Sequence, residues 1–289
     1  MTSDPTETVS TVDGMDPDAL LNGRLGRLML YELAGPGTEN WDAAELLRPV
    51  AAAAARWAFA SDGPELDAVL KAGAESMRPL AEVVAAAPAA AWWRQPAARE
   101  YQRWLGCAHH PVLARGAAVT EAVRTAGRTG AWWSGPLGDT VWTSRGDIDL
   151  HGLPAVGLAC AEDAFGKETF DVWALRADPE ARVYEVHGPA DWARLAGTYP
   201  LSVPASQEWQ RWTGRDGPWI KPDWPAVAAD WDGVHVSVGG YLTTAGIAVG
   251  DTLLAGWDAD QTLWLRDVFT DVRQLTTWHG FPGPEAISE

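Results

Sequence analysis

The spacing of apolar residues changes from helical to strand-like about halfway along the chain. Up to residue 128, apolar positions recur every three or four residues, as they do on one face of a helix. This spacing predicts helices over about 20–34, 42–59 and 64–87, the last of which continues or restarts near Leu80, and a shorter one over 97–105. The break Gly35-Pro36-Gly37 is expected to end the first helix, and Pro88 the third. No strand is expected before residue 128.

Short runs of alternating or β-branched residues, bounded by Gly, Pro and Asp, follow residue 130. They predict strands over 140–144, 169–175, 182–186, 233–238 and 262–268. Pro189 and Pro222 each open a helix-like stretch, and 202–222 has the Gly, Pro and Trp content of a long loop. We therefore predict an α+β protein, with an all-helical N-terminal region followed by a mixed α/β domain that has a small, mostly antiparallel sheet.

The same pattern divides the chain into three parts. These are a disordered leader over 1–18, a helical region over 19–128 and a Trp-rich mixed domain over 129–289. The leader is polar and acidic, whereas a secretory signal needs a basic start and an apolar core. No apolar run approaches the roughly 18–20 residues that span a bilayer, and two cysteines are too few for a disulfide scaffold. We expect a cytoplasmic protein that does not bind membranes.

The net charge of the chain limits the classes of partner that the protein is expected to bind. The chain has 22 basic and 39 acidic side chains, which give a formal net charge of −17, and most of the acidic excess lies after residue 130. A surface this negative repels phosphate backbones, so we expect no nucleic-acid partner. The same surface would suit a basic protein partner.

Tryptophan is the dominant aromatic residue, with 18 Trp against 5 Tyr and 5 Phe. An indole ring can fill a core, stack on a planar ligand or anchor a partner. We expect most of these rings to pack the core. A few should line a small-molecule pocket, because such pockets combine aromatic walls with few polar groups.

Motifs for the commoner kinds of catalytic site are absent from the sequence. The histidines form no H-E-x-x-H pattern, and Asp147, Asp149 and His151 lie between glycines that favour a loop, so no metal is expected. No G-x-S-x-G elbow and no Gly-rich phosphate loop occurs. Cys160 follows an apolar run that predicts burial rather than reactivity.

A looser pattern remains in the mixed domain. It consists of Trp142-Thr143-Ser144 at the end of a predicted strand, the nearby Arg128 and Arg145, and Trp257 and Asp260 just before the last predicted strand. In these residues the second half of the chain resembles the ADP-ribosyltransferase-like proteins. In that family an acidic residue at the start of a late strand stabilises the positive charge that develops on a ribose, and the position of Asp260 matches it.

The resemblance implies a site that takes NAD as its substrate. It implies that Asp260 and Ser144 are catalytic residues and that NAD is contacted by Trp142, Thr143, Arg145, Trp257 and Arg128. The family usually has Glu at the position of Asp260.

Three functional hypotheses follow from the sequence. The first is a small-molecule enzyme with a Trp-lined pocket in the C-terminal domain, either an NAD-using ADP-ribosyl transferase or an enzyme that cleaves an N-glycosidic bond. The second is a noncatalytic binding or immunity-type protein for a basic partner. The third is a biosynthetic enzyme with its site between the helical and the mixed regions. Trp side chains exposed on one face would favour the second, and Trp side chains around a concave pocket would favour an enzyme.

Overall fold

Helices make up the first part of the chain. The computed structural model describes residues 14–34, 40–59, 63–106, 133–136, 140–162, 167–204 and 207–287. Before the first strand it contains α1 (Pro17–Asn22), α2 (Arg24–Leu33), α3 (Ala43–Phe59), α4 (Gly63–Ala72) and α5 (Arg78–Ala86). Residues 14–18, which the sequence pattern assigns to a disordered leader, include the start of α1.

Local signals explain where these helices begin. Asp16 caps α1 by accepting a hydrogen bond from a first-turn backbone N–H at 3.0 Å. Asp42 and Glu45 cap α3 reciprocally, because each carboxylate accepts from the other's backbone N–H at 2.9 Å. Gly23 divides the predicted first helix into α1 and α2: its backbone is extended, and a Cβ there would overlap the Leu242 carbonyl oxygen.

A seven-stranded sheet forms the centre of the second part. Its strands are β1 (Gln102–Gly106), β2 (Val141–Arg145), β3 (Thr169–Ala177), β4 (Val183–Val186), β7 (Gly233–Val236), β10 (Gln261–Trp264) and β11 (Phe269–His279). Their order across the sheet is β11-β3-β1-β2-β10-β7-β4. Strands β4 and β7 are parallel, and the other neighbouring pairs are antiparallel.

Shorter elements surround this sheet. Two small sheets pair β5 (Pro200–Val203) with β6 (Trp219–Pro222) and β8 (Ala248–Val249) with β9 (Thr252–Leu253). The helices after β2 are α6 (Val156–Cys160), α7 (Pro189–Thr198), α8 (Gln207–Thr213), α9 (Trp224–Asp230) and α10 (Val238–Thr244).

The predicted α+β class is confirmed, with two corrections to its details. The sheet is larger than expected, and it includes β1, where the helical spacing over 97–105 predicts a helix. Strand β1 pairs with both β2 and β3, and this pairing on two sides overrides the local preference. The predicted loop over 202–222 contains the end of β5, all of α8 and all of β6, since Trp209, Trp212 and Trp219 are buried there.

The two faces of the sheet are covered differently. Successive side chains of a strand point to opposite faces. One face packs against the helices and carries the main core, which includes Val172, Val234 and Leu263. The other face carries a smaller apolar cluster around Leu175 and Trp264. The ionisable residues of the candidate site lie beside this smaller cluster.

A pair of helical glycines tests how closely α10 approaches the sheet. A Cβ on Gly240 would overlap the Val186 carbonyl oxygen, whereas a Cβ on Gly197 in α7 meets nothing within 4 Å. We expect Gly240→Ala to lower the free energy of unfolding by about 1–3 kcal/mol. Gly197→Ala should raise it by up to about 1 kcal/mol, because alanine is the better helix former. Urea unfolding of both variants measures this, and equal shifts would contradict the close approach.

Candidate functional site

Four ionisable side chains form a continuous chain across the sheet, on the face opposite the helices. Glu185 lies on β4, His235 on β7, Asp260 just before β10 and Arg145 on β2. The parallel register places Glu185 opposite His235. The register of β10 with β2 places Asp260 beside Arg145. Residues from four separate parts of the sequence therefore meet only because the strands pair in this order.

His235 is the centre of this chain. Its Nδ1 lies 2.6 Å from Oε2 of Glu185, and its Nε2 lies 3.3 Å from Oδ1 of Asp260. Only 1 % of the His235 side chain is exposed. Burial by itself lowers the pKa of the imidazole, but the carboxylates of Glu185 and Asp260 outweigh it and raise the pKa of His235 to about 9. At neutral pH the ring is therefore an imidazolium that bridges two carboxylates.

Arg145 and Asp260 form the buried end of the chain, with 2 % and 3 % of their side chains exposed. The backbone N–H of Arg145 donates to Oδ2 of Asp260 at 2.9 Å, and the Arg145 Nε lies 3.6 Å from Oδ1. Asp260 has φ of +55°, a left-handed conformation that Asp tolerates better than most residues. The Arg145 guanidinium lies over the ring of Trp92, at 5.4 Å from the ring centroid.

The segment 95–97 covers this face. The Ala97 N–H donates to Oε1 of Glu185 at 3.1 Å, and the Pro96 carbonyl accepts from Arg145 Nη2 at 3.4 Å. Glu185 is the most exposed member of the chain, with about 20 % of its side chain reaching solvent. The two cations are matched by the carboxylates of Glu185 and Asp260, and each of the four makes a polar contact with its neighbour. The more exposed Asp147 adds a third carboxylate, 3.4 Å from the Arg145 Nε. A buried polar network whose members are all paired makes a core rigid and favours one arrangement of it.

The sheet separates residues that the resemblance brings together. Thr143, like Arg145 and Asp260, lies on the face with His235, and its Oγ1 accepts from Trp264 Nε1 at 2.7 Å. Ser144 points to the other face, where its Oγ accepts from the Gly157 N–H of α6 at 2.8 Å. The alternation of side chains along β2 therefore places Ser144 and Asp260 on opposite sides of the sheet.

Trp142 and Trp257 do not face Asp260 either. Trp142 and Trp257 are on the helical face and make an edge contact, with ring centroids 4.7 Å apart. Trp257 also contacts the rings of Trp192 and Trp224. Trp257 is buried as part of this cluster, and Trp142 is half-buried. Arg128 lies outside the described residues.

Sequence reasoning missed Glu185 and His235. Both fall inside strands that the sequence predicts, 182–186 and 233–238. His235 is a polar residue among the buried Gly, Val and Val of β7. A lone polar residue in an otherwise apolar strand is the signal that could have drawn attention to it, because buried polar groups need partners.

A second buried polar group lies on the helical side. The Tyr241 hydroxyl donates to Oε1 of Glu162 at 2.8 Å. Burial, together with the charge of Asp258, raises the pKa of Glu162 well above its ordinary value. Burial also raises the pKa of the Cys160 thiol, which is unfavourable for a nucleophile.

Within the described ranges, no group of three or more His, Cys, Asp or Glu side chains is arranged to hold a metal ion. Nor does any helix in those ranges have the length and apolar character needed to cross a membrane.

A small pocket, open to solvent on one side, lies between α2, α3, α4 and α8. Its enclosed part has room for about one water molecule, and the roughly 300 Å³ of space at the site includes open solvent. Its aromatic walls are Trp57 of α3 and Trp212 of α8, whose ring centroids are 4.2 Å apart at an angle of 53°. The guanidinium of Arg24 lies 5.3 Å from the Trp57 centroid and 5.2 Å from the Trp212 centroid, within the range of cation–π attraction. The walls of the pocket therefore come from both the helical region and the Trp-rich part of the chain.

Two glycines allow these indoles to approach the backbone. A Cβ on Gly63 would overlap the ring of Trp212, and a Cβ on Gly246 would overlap the ring of Trp57. Gly246 also has φ of +75°, a conformation that favours glycine. The backbone therefore fixes both rings, and the walls of the pocket are preformed.

The protonation of His235 predicts how stability depends on pH. The pKa is about 9 in the folded protein, against 6.5 for a free imidazole. Its stabilising contribution is therefore fully present below about pH 6.5 and is lost as the pH rises through about 9. We expect the free energy of unfolding to fall across this window in the wild type and to fall much less in His235→Gln. Chemical denaturation at several pH values measures this, with the exposed His279→Gln as control. Parallel profiles for wild type and His235→Gln would contradict the assignment.

Asp260→Asn tests whether the carboxylate is structural. Asparagine keeps the shape and tolerates the left-handed backbone, so the variant isolates the charge. Removing one partner of a buried ion network is expected to cost about 3 kcal/mol of unfolding free energy. Asp147→Asn is the control, because Asp147 is 28 % exposed at 3.4 Å from the same Arg145 Nε and should cost less than about 1 kcal/mol. Equal losses in the two variants would show that Asp260 has no special structural weight.

No family model, no curated protein and no solved structure matches the chain. The resemblance to ADP-ribosyltransferase-like proteins therefore stays a prediction.

Proposed function

We propose that this protein binds a small, flat and largely apolar molecule at the open mouth of the pocket that Trp57 and Trp212 line. The observation that carries the proposal is the convergence of two indole rings and the Arg24 guanidinium on a single concave space. Arg56 also lines this space, but it is paired with Glu32 at 3.2 Å. Aromatic walls with few polar groups are typical of small-molecule sites.

The location supports the hypothesis of a site between the helical and the mixed regions. Trp57 comes from α3 in the helical region, and Trp212 comes from α8 in the Trp-rich part. The hypothesis of an NAD-using transferase has less support, because Ser144 and Asp260 lie on opposite faces of the sheet.

The arrangement of tryptophans also bears on the hypothesis of a basic protein partner. That hypothesis asks for an aromatic platform on the surface. Among the residues that the structure describes, every Trp is buried or half-buried. The large apolar side chains that are exposed are scattered: Tyr31, Val69, Val83, Tyr101, Leu275 and Phe281. This pattern supports a small-molecule pocket over a protein-binding platform.

A pair of variants on α4 tests the pocket. Leu66 lines it, whereas Val69, three residues further on the same helix, is 68 % exposed. We expect a single-ring probe, benzamide or benzoate, to bind saturably in isothermal titration calorimetry. Such a ligand at 100 times its dissociation constant stabilises the fold by about 2.7 kcal/mol.

Leu66→Phe should abolish this binding by filling the space, and Val69→Phe should leave it unchanged. Both variants add an aromatic ring, so the comparison separates the pocket from a general effect on hydrophobicity. Binding that survives Leu66→Phe, or no binding of either probe to the wild type, would overturn the proposed function.

A further inference from the structure

The pocket contains an unbalanced buried charge. Arg24 and Arg27 both approach one carboxylate, that of Asp67. The Arg24 Nε lies 3.0 Å from Oδ2 of Asp67, and the Arg27 Nη2 lies 2.5 Å from Oδ1. Their side chains are 11 % and 3 % exposed. Among the residues that the structure describes, these two cations face one carboxylate, which leaves an excess of one positive charge there.

Arg27 does not present an unused hydrogen-bond donor to the pocket. Its Nη1 donates to the carbonyl oxygens of Leu21 and Asn22 at 2.8 and 2.9 Å, and its Nη2 binds Asp67. Its Nε has no acceptor among the described residues, but Arg27 does not line the pocket.

Arg24 does line the pocket, and its donors are only partly used. Its Nη2 donates to the Trp212 carbonyl oxygen at 2.9 Å. Its Nη1 is buried and finds no hydrogen-bond acceptor within the described part of the chain. Trp57 and Trp212 lie close to the guanidinium, so those indoles attract the cation without neutralising it. Burial accordingly lowers the pKa of Arg24, although Asp67 opposes that effect.

We propose that the ligand of this pocket is a small monoanion: a carboxylate on a flat apolar body, with the carboxylate paired to Arg24. This inference rests on the proposed function. One negative charge matches the excess of one positive charge, and a planar carboxylate is the natural partner of a guanidinium edge. The apolar body then packs against Trp57, Trp212 and Leu66.

Two probes of nearly the same shape test the charge of the ligand. Benzoate carries a carboxylate, and benzamide carries a neutral amide in its place. We expect isothermal titration calorimetry of the wild type to give a dissociation constant at least tenfold lower for benzoate than for benzamide. Equal affinities would overturn the inference and leave the proposed function standing. Binding of neither probe would instead remove the proposed function.

A variant then assigns the preference to Arg24. Arg24→Met keeps a long side chain against the indoles and leaves Arg27 and Asp67 as a balanced pair, so the ratio of the two affinities should fall to near one. Arg211→Met is the matched control, because it removes the same charge from an exposed residue beside Trp212. The control should keep the wild-type ratio.

A second variant guards against a failure of Arg24→Met to fold. Asp67→Asn keeps Arg24 in place and removes the carboxylate that offsets the two arginines, so it should increase the preference for benzoate by about threefold or more. A preference that persists in folded Arg24→Met, or that falls in Asp67→Asn, would show that Arg24 does not receive the carboxylate.

Discussion

A buried cation has to be paired with a negative charge, and this requirement organises both polar clusters of the fold. An unpaired ion loses several kcal/mol of hydration on burial, which contact with an opposite charge must offset. On the sheet, Arg145 and the imidazolium of His235 are matched by Asp260 and Glu185. Between the helices, Arg24 and Arg27 share the carboxylate of Asp67. Counted over the described parts of the chain, the charges of the first cluster are matched and those of the second are not. We therefore assign a structural role to the first and a binding role to the second.

Much of the fold could be predicted from the sequence, because helical spacing and strand alternation are local properties. The helix over 42–59 and the strands near 140–144 and 233–238 could be predicted in this way. Strand β1 was not, because the two neighbours that pair with it lie far along the chain. Neither was the break at Gly23, which depends on the approach of α10.

The candidate site was predictable only in part, for the same reason. The position of Asp260 before a strand could be seen, but its partner His235 is set by strand order, which the sequence does not display. Adjacency in sequence was misleading at Thr143 and Ser144, since neighbouring residues of a strand face opposite ways. The contact of Trp57 with Trp212 likewise joins distant segments of the chain. The glycine against which each ring packs is also distant from that ring in sequence.

The overall charge of −17 repels an anionic ligand at long range, but screening limits how strongly the distant charges act on the pocket. Exposed charges are screened over about 8 Å at physiological ionic strength, so most of the acidic surface acts weakly on the pocket. The acidic excess also lies mainly after residue 130, whereas three of the four helices around the pocket precede it. At contact distance in a partly buried place, a pair of opposite charges interacts several times more strongly than in water. The net field therefore slows the approach of an anion, and the local excess at Arg24 determines whether it stays.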